Sequence, residues 1–201
     1  KDVSFDYSRD KLLPDGTVQL IIDLTPEPKK LYDSETSPCY TEFTKAWISG
    51  GHTKYIVIEA AKKSSMIGIA FKPGGAYNFF NIPLSEIKNR VVPLADFAPY
   101  ILAQLRDAIM EKEAPEEKFA VLSFYMHKLL KDKNTANPVM QYSFRMLQQS
   151  ASDISIRTLA DKTGYTQKHL ISLFERYTGL TPKEYQRLCR FQNVLKEIEQ
   201  A

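Results

Sequence analysis

The segment 155–177, with the sequence SIRTLADKTGYTQKHLISLFERY, constrains the fold more than any other part of the chain. Ser155 and Thr166 each precede an amphipathic stretch, where a side-chain oxygen can accept a hydrogen bond from a free amide at the start of a helix. Gly164 lies where the first helix must end and the chain must reverse, a position that requires a positive φ angle. The segment therefore predicts two short helices joined by a tight turn at Gly164.

Small and apolar residues in this segment are placed for close packing of the two helices. Ala160, one turn before Gly164, would let the second helix cross closely. The apolar contacts are predicted to come from Leu159, Tyr165, Leu170, Leu173 and Phe174. A small residue, a turn glycine four positions later and apolar residues at these offsets are typical of the helix-turn-helix motif. An ordinary αα-hairpin is the alternative interpretation.

The sequence that follows, TGLTPKEYQRLCRF at 178–191, predicts a further helix. Gly179 ends the preceding helix, Thr181 caps the next one, and Pro182 occupies its first turn, where the missing amide costs no hydrogen bond. On the motif GYTQKHLISLF, the YTGLTPKEY elbow and the following helix with Arg190, the chain resembles the AraC/XylS family of bacterial transcription regulators. The resemblance runs from near Asn137 to the C-terminus. It implies double-stranded DNA as a partner, and it leaves open a small-molecule effector and a homodimer.

The resemblance also implies a second helix-turn-helix unit after a long linker helix. The sequence stops at Ala201, before that unit. We therefore expect the chain to be the N-terminal part of a longer regulator, with the second DNA-reading unit missing, and a natural regulator with a single reading unit is the alternative.

Composition limits the class of protein. The 201 residues are 43% hydrophobic, enough to build one large or two small cores. No apolar run reaches the roughly 18 residues of a membrane helix, so no membrane partner is expected. The N-terminus is charged and lacks the apolar region of a signal peptide. Cys39 and Cys189 are far apart in sequence and are expected to be free thiols, which predicts a cytoplasmic location.

Charge is concentrated near the predicted helix pair. Residues 151–190 contain seven Lys and Arg against four Asp and Glu, an excess of 7 − 4 = 3 that equals the +3 of the whole chain. This bias supports nucleic-acid binding, although a solvated helix face would carry similar charge.

The first half of the chain predicts short β-strands. Val18, Leu20, Ile22 and Leu24 alternate with polar residues over 17–24, the pattern of a half-buried strand with Gln19 and Asp23 outward. Turns or a hairpin are expected over 25–37. Further strands are predicted over 45–49, 54–60 and 65–71, and the KPGG sequence at 72–75 ends the run. Several short strands at close spacing indicate a small antiparallel barrel or sandwich.

The stretches PDGTVQLIIDL, WISGGHTKYIVIE, GIAFKPGGAYNFF and IPLSEIKNRVVPLADF resemble the cupin-like sensor domain that precedes some AraC-type modules. The resemblance implies a β-barrel with a sensory or dimerising role, and it transfers no ligand. No His-x-His pair is present, so neither a metal site nor a cofactor is expected. The candidates for an effector pocket are Trp47, His52, Tyr55, Phe71 and Tyr77, with plain barrel core as the alternative for most of them.

Helices are predicted after residue 96. One apolar stripe comprises Ala98, Ile101, Leu102, Leu105, Ala108 and Ile109, and a second comprises Phe119, Leu122, Met126, Leu129 and Leu130. These helices either pack under the barrel or pair between protomers. The polar stretch 131–136, KDKNTA, is the expected linker, and Asn137 is expected to cap the first helix of the DNA-binding unit. The predicted class is α+β, with a β-rich cupin-like domain at 1–95, connecting or dimerisation helices at 96–132 and a helix-turn-helix subdomain at 133–201.

Contacts with DNA are predicted from the outward positions of the second helix, which enters the major groove in this motif. Lys168, Ile171 and Ser172 are the candidates for base edges, in agreement with the positions that the family uses. Family members often have Arg or Gln where Ile171 and Ser172 stand, which weakens the case for bidentate base readout there. The phosphate candidates are Thr166, Gln167, His169, Arg157, Arg176 and Arg187, and simple solvation is the alternative for each.

Three functions compete at this stage. The first is a sequence-specific transcription regulator of AraC type. The second is a small-molecule sensor or protein-interaction module whose helical tail contacts protein rather than DNA. The third, a cupin-type enzyme, ranks last because the sequence contains no catalytic triad, phosphate loop or paired-carboxylate signature.

Overall fold

The computed structural model describes residues 8–60, 64–80, 82–96, 99–130, 137–149 and 154–200. The β-strands are β1 (Arg9–Leu12), β2 (Gln19–Asp23), β3 (Lys29–Tyr32), β4 (Tyr40–Phe43), β5 (Ala46–Ser49), β6 (Ile56–Glu59), β7 (Met66–Ala70) and β8 (Val91–Pro93). The α-helices are α1 (Ala76–Phe80), α2 (Pro99–Met110), α3 (Pro115–Leu129), α4 (Pro138–Gln149), α5 (Ile156–Thr163), α6 (Gln167–Thr178) and α7 (Pro182–Gln200). Short 3-10 helices span Leu84–Ile87 and Leu94–Asp96. The predicted α+β class is confirmed.

The strands form two four-stranded antiparallel sheets, in the orders β1-β6-β3-β4 and β7-β2-β5-β8. Strand β2 is central in the second sheet and pairs Leu20 with Ile48 on β5 and with Ile69 on β7. Its even-numbered residues pack with Leu105, Ile109 and Leu122 from α2 and α3 in one apolar core. The helices after residue 96 therefore cover the sheet, the first of the two arrangements expected for them.

Strand β2 is buried more completely than its alternating pattern predicts. Asp23 was expected to face outward, but its side chain is fully buried. Its Oδ1 atom accepts hydrogen bonds from the amide and hydroxyl of Thr25, and Oδ2 lies 3.6 Å from Lys29 Nζ. Arg106 on α2 donates from Nε to the Asp23 carbonyl over 2.9 Å. The buried carboxylate thus lies where α2 is hydrogen-bonded to the end of β2.

The apolar stripe predicted for α3 is only partly correct. Leu122 and Leu129 are buried, whereas Phe119 is 59% exposed and Leu130 is 44% exposed. A helix turns by about 100° per residue, and the neighbouring helices α1 and α2 cover only part of the surface of α3. In the earlier helix, Leu105 and Ile109 are fully buried as predicted, while Ala98 lies outside the described residues.

A second apolar core holds the C-terminal helices together. It contains Met140, Phe144 and Leu147 from α4, Leu159 and Ala160 from α5, Leu170 and Phe174 from α6, and Leu180, Tyr185 and Leu188 from the segment that follows. Asn137 caps α4, because its Oδ1 atom accepts hydrogen bonds from the amides of Val139 and Met140. The predicted linker 131–136 lies outside the described residues, so the three domain boundaries stay predictions. Within the described residues, no helix is long and apolar enough to cross a bilayer.

Candidate nucleic-acid interface

The turn between α5 and α6 has the geometry that the sequence predicts. The Ser155 hydroxyl accepts a hydrogen bond from the Thr158 amide over 3.0 Å, and the Thr166 hydroxyl accepts one from the His169 amide over 3.2 Å. Gly164 has a φ angle of 73°, in the left-handed region. Both helices are therefore capped at their N-termini, and a glycine reverses the chain between them.

The crossing of the two helices is held by a small apolar core. Leu159, Leu170 and Phe174 are fully buried, and Ala160 is 1% exposed. Leu173 is only partly buried at the edge of this core. Tyr165, predicted as a packing contact, is 37% exposed, and its ring stacks on His169 with a centroid distance of 4.6 Å. The correction follows from the tight turn, which carries residue 165 out past the end of α5.

The predicted base-edge residues lie on the free side of α6. Lys168, Ile171 and Ser172 are all exposed, at positions i, i+3 and i+4 of the helix. Residues at this spacing share one face, so the three side chains can reach a single groove together. Leu170 and Phe174, on another face of α6, are buried in the second apolar core.

Most of the predicted phosphate contacts are exposed. Gln167 and His169 are exposed in the first turn of α6, and Arg157 and Arg187 are exposed on α5 and α7. The Thr166 hydroxyl accepts the capping hydrogen bond, which leaves its own proton available for a phosphate oxygen. These groups are therefore accessible to a partner, and their contact with phosphate stays a prediction.

Arg176 is placed differently from the other phosphate candidates. Its Nε atom donates to the Tyr77 hydroxyl over 2.8 Å, and its guanidinium carbon lies 5.2 Å from the centre of the Tyr77 ring. Tyr77 belongs to α1 in the N-terminal domain, and its ring packs on Tyr177 at 4.6 Å. Arg176 therefore connects α6 to the N-terminal domain in this structure, and its phosphate contact stays a prediction.

The N-terminal domain packs directly on the C-terminal half of α6 and on α7. Gly179 has a φ angle of 79°, and a Cβ atom there would lie 2.6 Å from the Leu84 carbonyl oxygen. Lys88, next to the first 3-10 helix, forms an ion pair with Glu184 at 2.7 Å. The Gln192 side chain on α7 donates to the Pro14 carbonyl over 2.9 Å. The domain that precedes the helix pair thus fixes one end of the helix that carries the base-edge candidates.

Glu184 has a double role at this contact. Its Oε2 atom accepts hydrogen bonds from the amide and hydroxyl of Thr181, and its amide donates to the Thr181 hydroxyl, which completes a capping box. Burial tends to raise the pKa of Glu184, but the hydrogen bonds from Lys88 and Thr181 outweigh it and lower that pKa below 4.5. The same carboxylate therefore starts α7 and binds it to the N-terminal domain.

The five predicted effector-pocket residues do not line one pocket. Trp47 lies at a cavity of about 150 Å³ between the two sheets, whereas Phe71 faces the contact with the C-terminal helices. Tyr77 is engaged by Arg176 and Tyr177, and Tyr55 is 46% exposed. His52 lies 3.0 Å from the Ser49 hydroxyl, and burial lowers its pKa despite the opposing charge of Asp15. Within the described part of the chain, no group of three His, Cys, Asp or Glu side chains could hold a metal ion.

Two capped helices crossing at a left-handed glycine, with an exposed polar face on the second, define a helix-turn-helix protein. Residues 146–187 match the family described as bacterial regulatory helix-turn-helix proteins, AraC family. Residues 2–93 match a domain of unknown function, DUF6597. The C-terminal part of the chain therefore contains an AraC-type helix-turn-helix region, as its sequence motifs predict.

Comparison with solved structures gives two distant similarities. One is the AraC-like transcriptional activator CuxR, at 14% identity and a TM-score of 0.33, with 90% of this chain and 68% of that chain covered. The other is an apo form of a ToxT variant from Vibrio cholerae strain SCE256, at 11% identity and a TM-score of 0.45, with 94% and 77% covered. No curated protein sequence matches the chain.

Proposed function

We propose that this chain is a sequence-specific regulator that reads double-stranded DNA with the N-terminal half of α6. The observation that carries the proposal is the exposure of Lys168, Ile171 and Ser172 on one face of a helix whose opposite face is buried. Inserted in the major groove, Lys168 donates to guanine O6 or N7, Ile171 contacts a thymine methyl group, and Ser172 bonds as donor or acceptor.

The surrounding polar groups position the helix on the duplex. Arg157 and Arg187 are exposed on α5 and α7, and the free hydroxyl proton of Thr166 is at the start of α6. Contacts of this kind go to phosphate oxygens and fix orientation without reading sequence. A small-molecule effector and a homodimer remain predictions of the sequence.

The proposal is tested with duplexes that the chain selects from a random-sequence library, followed by fluorescence anisotropy. Lys168→Ala and Ser172→Ala should each weaken binding of the selected duplex by about 1–3 kcal/mol and relax preference at particular base pairs. Arg157→Ala should weaken binding to all sequences alike and reduce the slope of log affinity against log salt by about 1.

Lys183→Ala provides the matched control, because Lys183 is exposed on α7 in the same unit but outside the predicted contacts. If the unmodified chain, Lys168→Ala and Ser172→Ala bound the selected duplex with equal affinity, Lys168 and Ser172 would not be base contacts. Affinity that does not fall with salt would contradict the proposed contacts with phosphate.

A second candidate function, contact with a protein through the C-terminal helix, is favoured by one observation. Phe191, Val194 and Ile198 recur at helical spacing on α7 and are 37%, 52% and 66% exposed. If the chain retained no selected duplex in an electrophoretic mobility shift but bound a protein partner through these residues, this function would replace DNA reading.

A further inference from the structure

The free edge of β7 differs from the other sheet edges in the described part of the chain. The two sheets end in four edge strands, β1, β4, β7 and β8. Edge strands of natural proteins usually contain a charge or a proline, which keeps other strands from pairing with them. The sequences of β1, β4 and β8, which are RDKL, YTEF and VVP, each contain one of these. The sequence of β7, MIGIA, contains neither.

The hydrogen bonds between β7 and β2 show which backbone groups of β7 are directed outward. The amide of Phe71 donates to the Val18 carbonyl over 3.0 Å, and the amide of Leu24 donates to the Ser65 carbonyl over 2.9 Å. In an antiparallel pair, residues that bond to the neighbouring strand alternate with residues whose amide and carbonyl point away from it. The odd-numbered residues of β7 therefore bond to β2, and the even-numbered residues direct their amides and carbonyls to the open edge. These even-numbered residues are Met66, Gly68 and Ala70.

The open edge of β7 is accessible to another strand. Met66, Gly68 and Ala70 are all exposed, and a Cβ atom at Gly68 would meet no atom within 4 Å. Among the described residues, no hydrogen bond connects this edge to another part of the chain. Three amides and three carbonyls in a row are a template on which a further strand can form.

The side chains of β7 define the kind of strand that fits beside it. Met66 lines the apolar cavity of about 150 Å³ between the two sheets. On the opposite face, Ile67 and Ile69 pack with the apolar core formed with α2 and α3. Each residue of an added strand lies on the same face as the residue opposite to it, so both faces of its middle have apolar neighbours. The middle of an added strand should therefore be uncharged and rich in β-branched side chains.

Cations lie near both ends of the open edge. Lys72, just after β7, is exposed and has no carboxylate within ion-pairing distance among the described residues. At the other end, Asp23 on β2 lies opposite Met66. The Asp23 carboxylate is matched by Lys29, and Arg106 adds a further cation by donating to the Asp23 carbonyl.

This charge distribution favours a foreign strand over a second copy of the chain. Two copies that paired antiparallel through β7 around a two-fold axis would place each end of one strand against the opposite end of the other. Both ends are positive, so like charges would meet twice, which destabilises a pair of strands. A strand with carboxylates at its ends would instead be attracted at both ends.

We propose that the open edge of β7 binds an extended segment of another protein, with an uncharged middle and acidic ends, as a fifth strand of this sheet. Backbone hydrogen bonds to Met66, Gly68 and Ala70 provide the affinity, and the carboxylates near Lys72 and Arg106 provide the selectivity. The binding does not depend on DNA reading by α6.

The probe for this edge is a fluorescein-labelled peptide with the sequence DEVTVTVED, and its binding to the full chain is measured by fluorescence anisotropy. A peptide with the same middle and basic ends, KKVTVTVKK, is the comparison. We expect the acidic peptide to bind saturably and the basic peptide not to bind. Hydrogen exchange followed by NMR then locates the bound peptide. Exchange should slow at the amides of Met66, Gly68 and Ala70, and it should change little at Ile67 and Ile69, whose amides already bond to β2.

Two substitutions at one position test the backbone contact. Gly68→Pro removes an amide that points to the open edge and none that bonds to β2, so the sheet should be retained. It should weaken binding of the acidic peptide by about five- to tenfold, the effect of losing one hydrogen bond. Gly68→Ala keeps the amide and places its methyl group in open space, so it should bind like the unmodified chain. The urea transition of Trp47 fluorescence checks that both variants are folded.

A charge reversal tests the selectivity independently of the backbone. Lys72→Glu should weaken binding of the acidic peptide and allow the basic peptide to bind, and it decides the outcome if Gly68→Pro does not fold. No binding of the acidic peptide, equal binding of the two peptides to the unmodified chain, or equal affinity of folded Gly68→Pro and Gly68→Ala would overturn the proposal. Self-association in sedimentation velocity that Gly68→Pro abolishes would also overturn it, because the edge would then belong to a second copy of the chain.

Discussion

Gly164 and Gly179 have nearly the same backbone conformation but very different surroundings. Their φ angles are 73° and 79°, and each ends a helix in the left-handed region. A Cβ atom at residue 164 would meet no atom within 4 Å, whereas one at residue 179 would lie 2.6 Å from the backbone oxygen of Leu84. The first glycine is needed for conformation alone, and the second also for contact between the domains.

This difference predicts unequal losses of stability. Gly164→Ala should lower the free energy of unfolding by about 1–2 kcal/mol, the cost of a left-handed alanine. Gly179→Ala should lower it by about 1–3 kcal/mol more, because the backbone of the N-terminal domain must move away from the new methyl group. Urea titration of the two variants measures the difference. Equal losses would show that the backbone near Leu84 moves away from the new methyl group with no loss of unfolding free energy.

At the residue scale, a side chain's position could be predicted where the side chain has to bond to a nearby backbone amide. Ser155, Thr166 and Asn137 cap the helices that their sequence context indicates, because a cap depends only on residues two or three positions away. The burial of Asp23 could not be predicted in this way. The helix α2, which is joined to the Asp23 carbonyl by Arg106, is about 83 positions away along the chain, and the alternating pattern around Asp23 is that of a strand with one face in water.

At the scale of elements, an ion pair joins Lys88, the residue after the first 3-10 helix, to Glu184 on α7. Lys88 and Glu184 are joined at 2.7 Å, with both side chains partly exposed. Since the folded-state pKa of Glu184 is lowered, the stabilisation is complete above about pH 4.5 and is lost as the pH falls through the folded-state pKa.

Glu184→Gln should therefore reduce the free energy of unfolding at about pH 7 by up to about 1 kcal/mol, the scale of a partly exposed pair. The difference between the unmodified chain and this variant should shrink as the pH is lowered to about 3. Chemical unfolding across this range provides the measurement, with Glu116→Gln on the exposed first turn of α3 as the control. A stability difference that grows toward acid pH would contradict a lowered pKa of Glu184 in the folded state.

Helices were easier to predict than strands for a physical reason. The bounds of α5, α6 and α7 follow from caps, glycines and a proline within the segment itself. Strands β1, β3 and β4, with the sequences RDKL, KKLY and YTEF, have no alternating apolar pattern. They form one sheet with β6, and that pairing joins residues distant in sequence. The exposed Phe119 was misplaced because an apolar stripe does not reveal how much of a helix its neighbours cover.

At the scale of the molecule, the two apolar cores meet at a tight contact. Tyr177 packs against both cores, and the main chain of Gly51 approaches the carbonyl of Thr178 so closely that a Cβ atom at residue 51 would lie 2.9 Å from it. No motif in the sequence predicts this contact, because its parts come from loops and helix ends with no shared local pattern.

The contact predicts that the two cores unfold together. Trp47 is the only tryptophan and lies in the N-terminal domain, so its fluorescence reports that domain, while far-ultraviolet circular dichroism reports mainly the helices. The two signals should give coincident urea transitions for the unmodified chain. In Gly179→Ala the transitions should separate, with Gly164→Ala as the matched control. Separate transitions in the unmodified chain would mean that the two parts fold independently.

The N-terminal domain contacts α6 near its C-terminal end, so a rotation about this contact moves the N-terminal end of the helix furthest. Gly179 forms the pivot against Leu84, and Lys168 lies about 16 Å farther along the axis at 1.5 Å per residue. A tilt of about 10° at the pivot would carry Lys168 sideways by about 3 Å, nearly the 3.4 Å spacing of successive base pairs. If the whole second core turned together with α6, its packing would be kept while the tip of the helix moved by nearly one base pair.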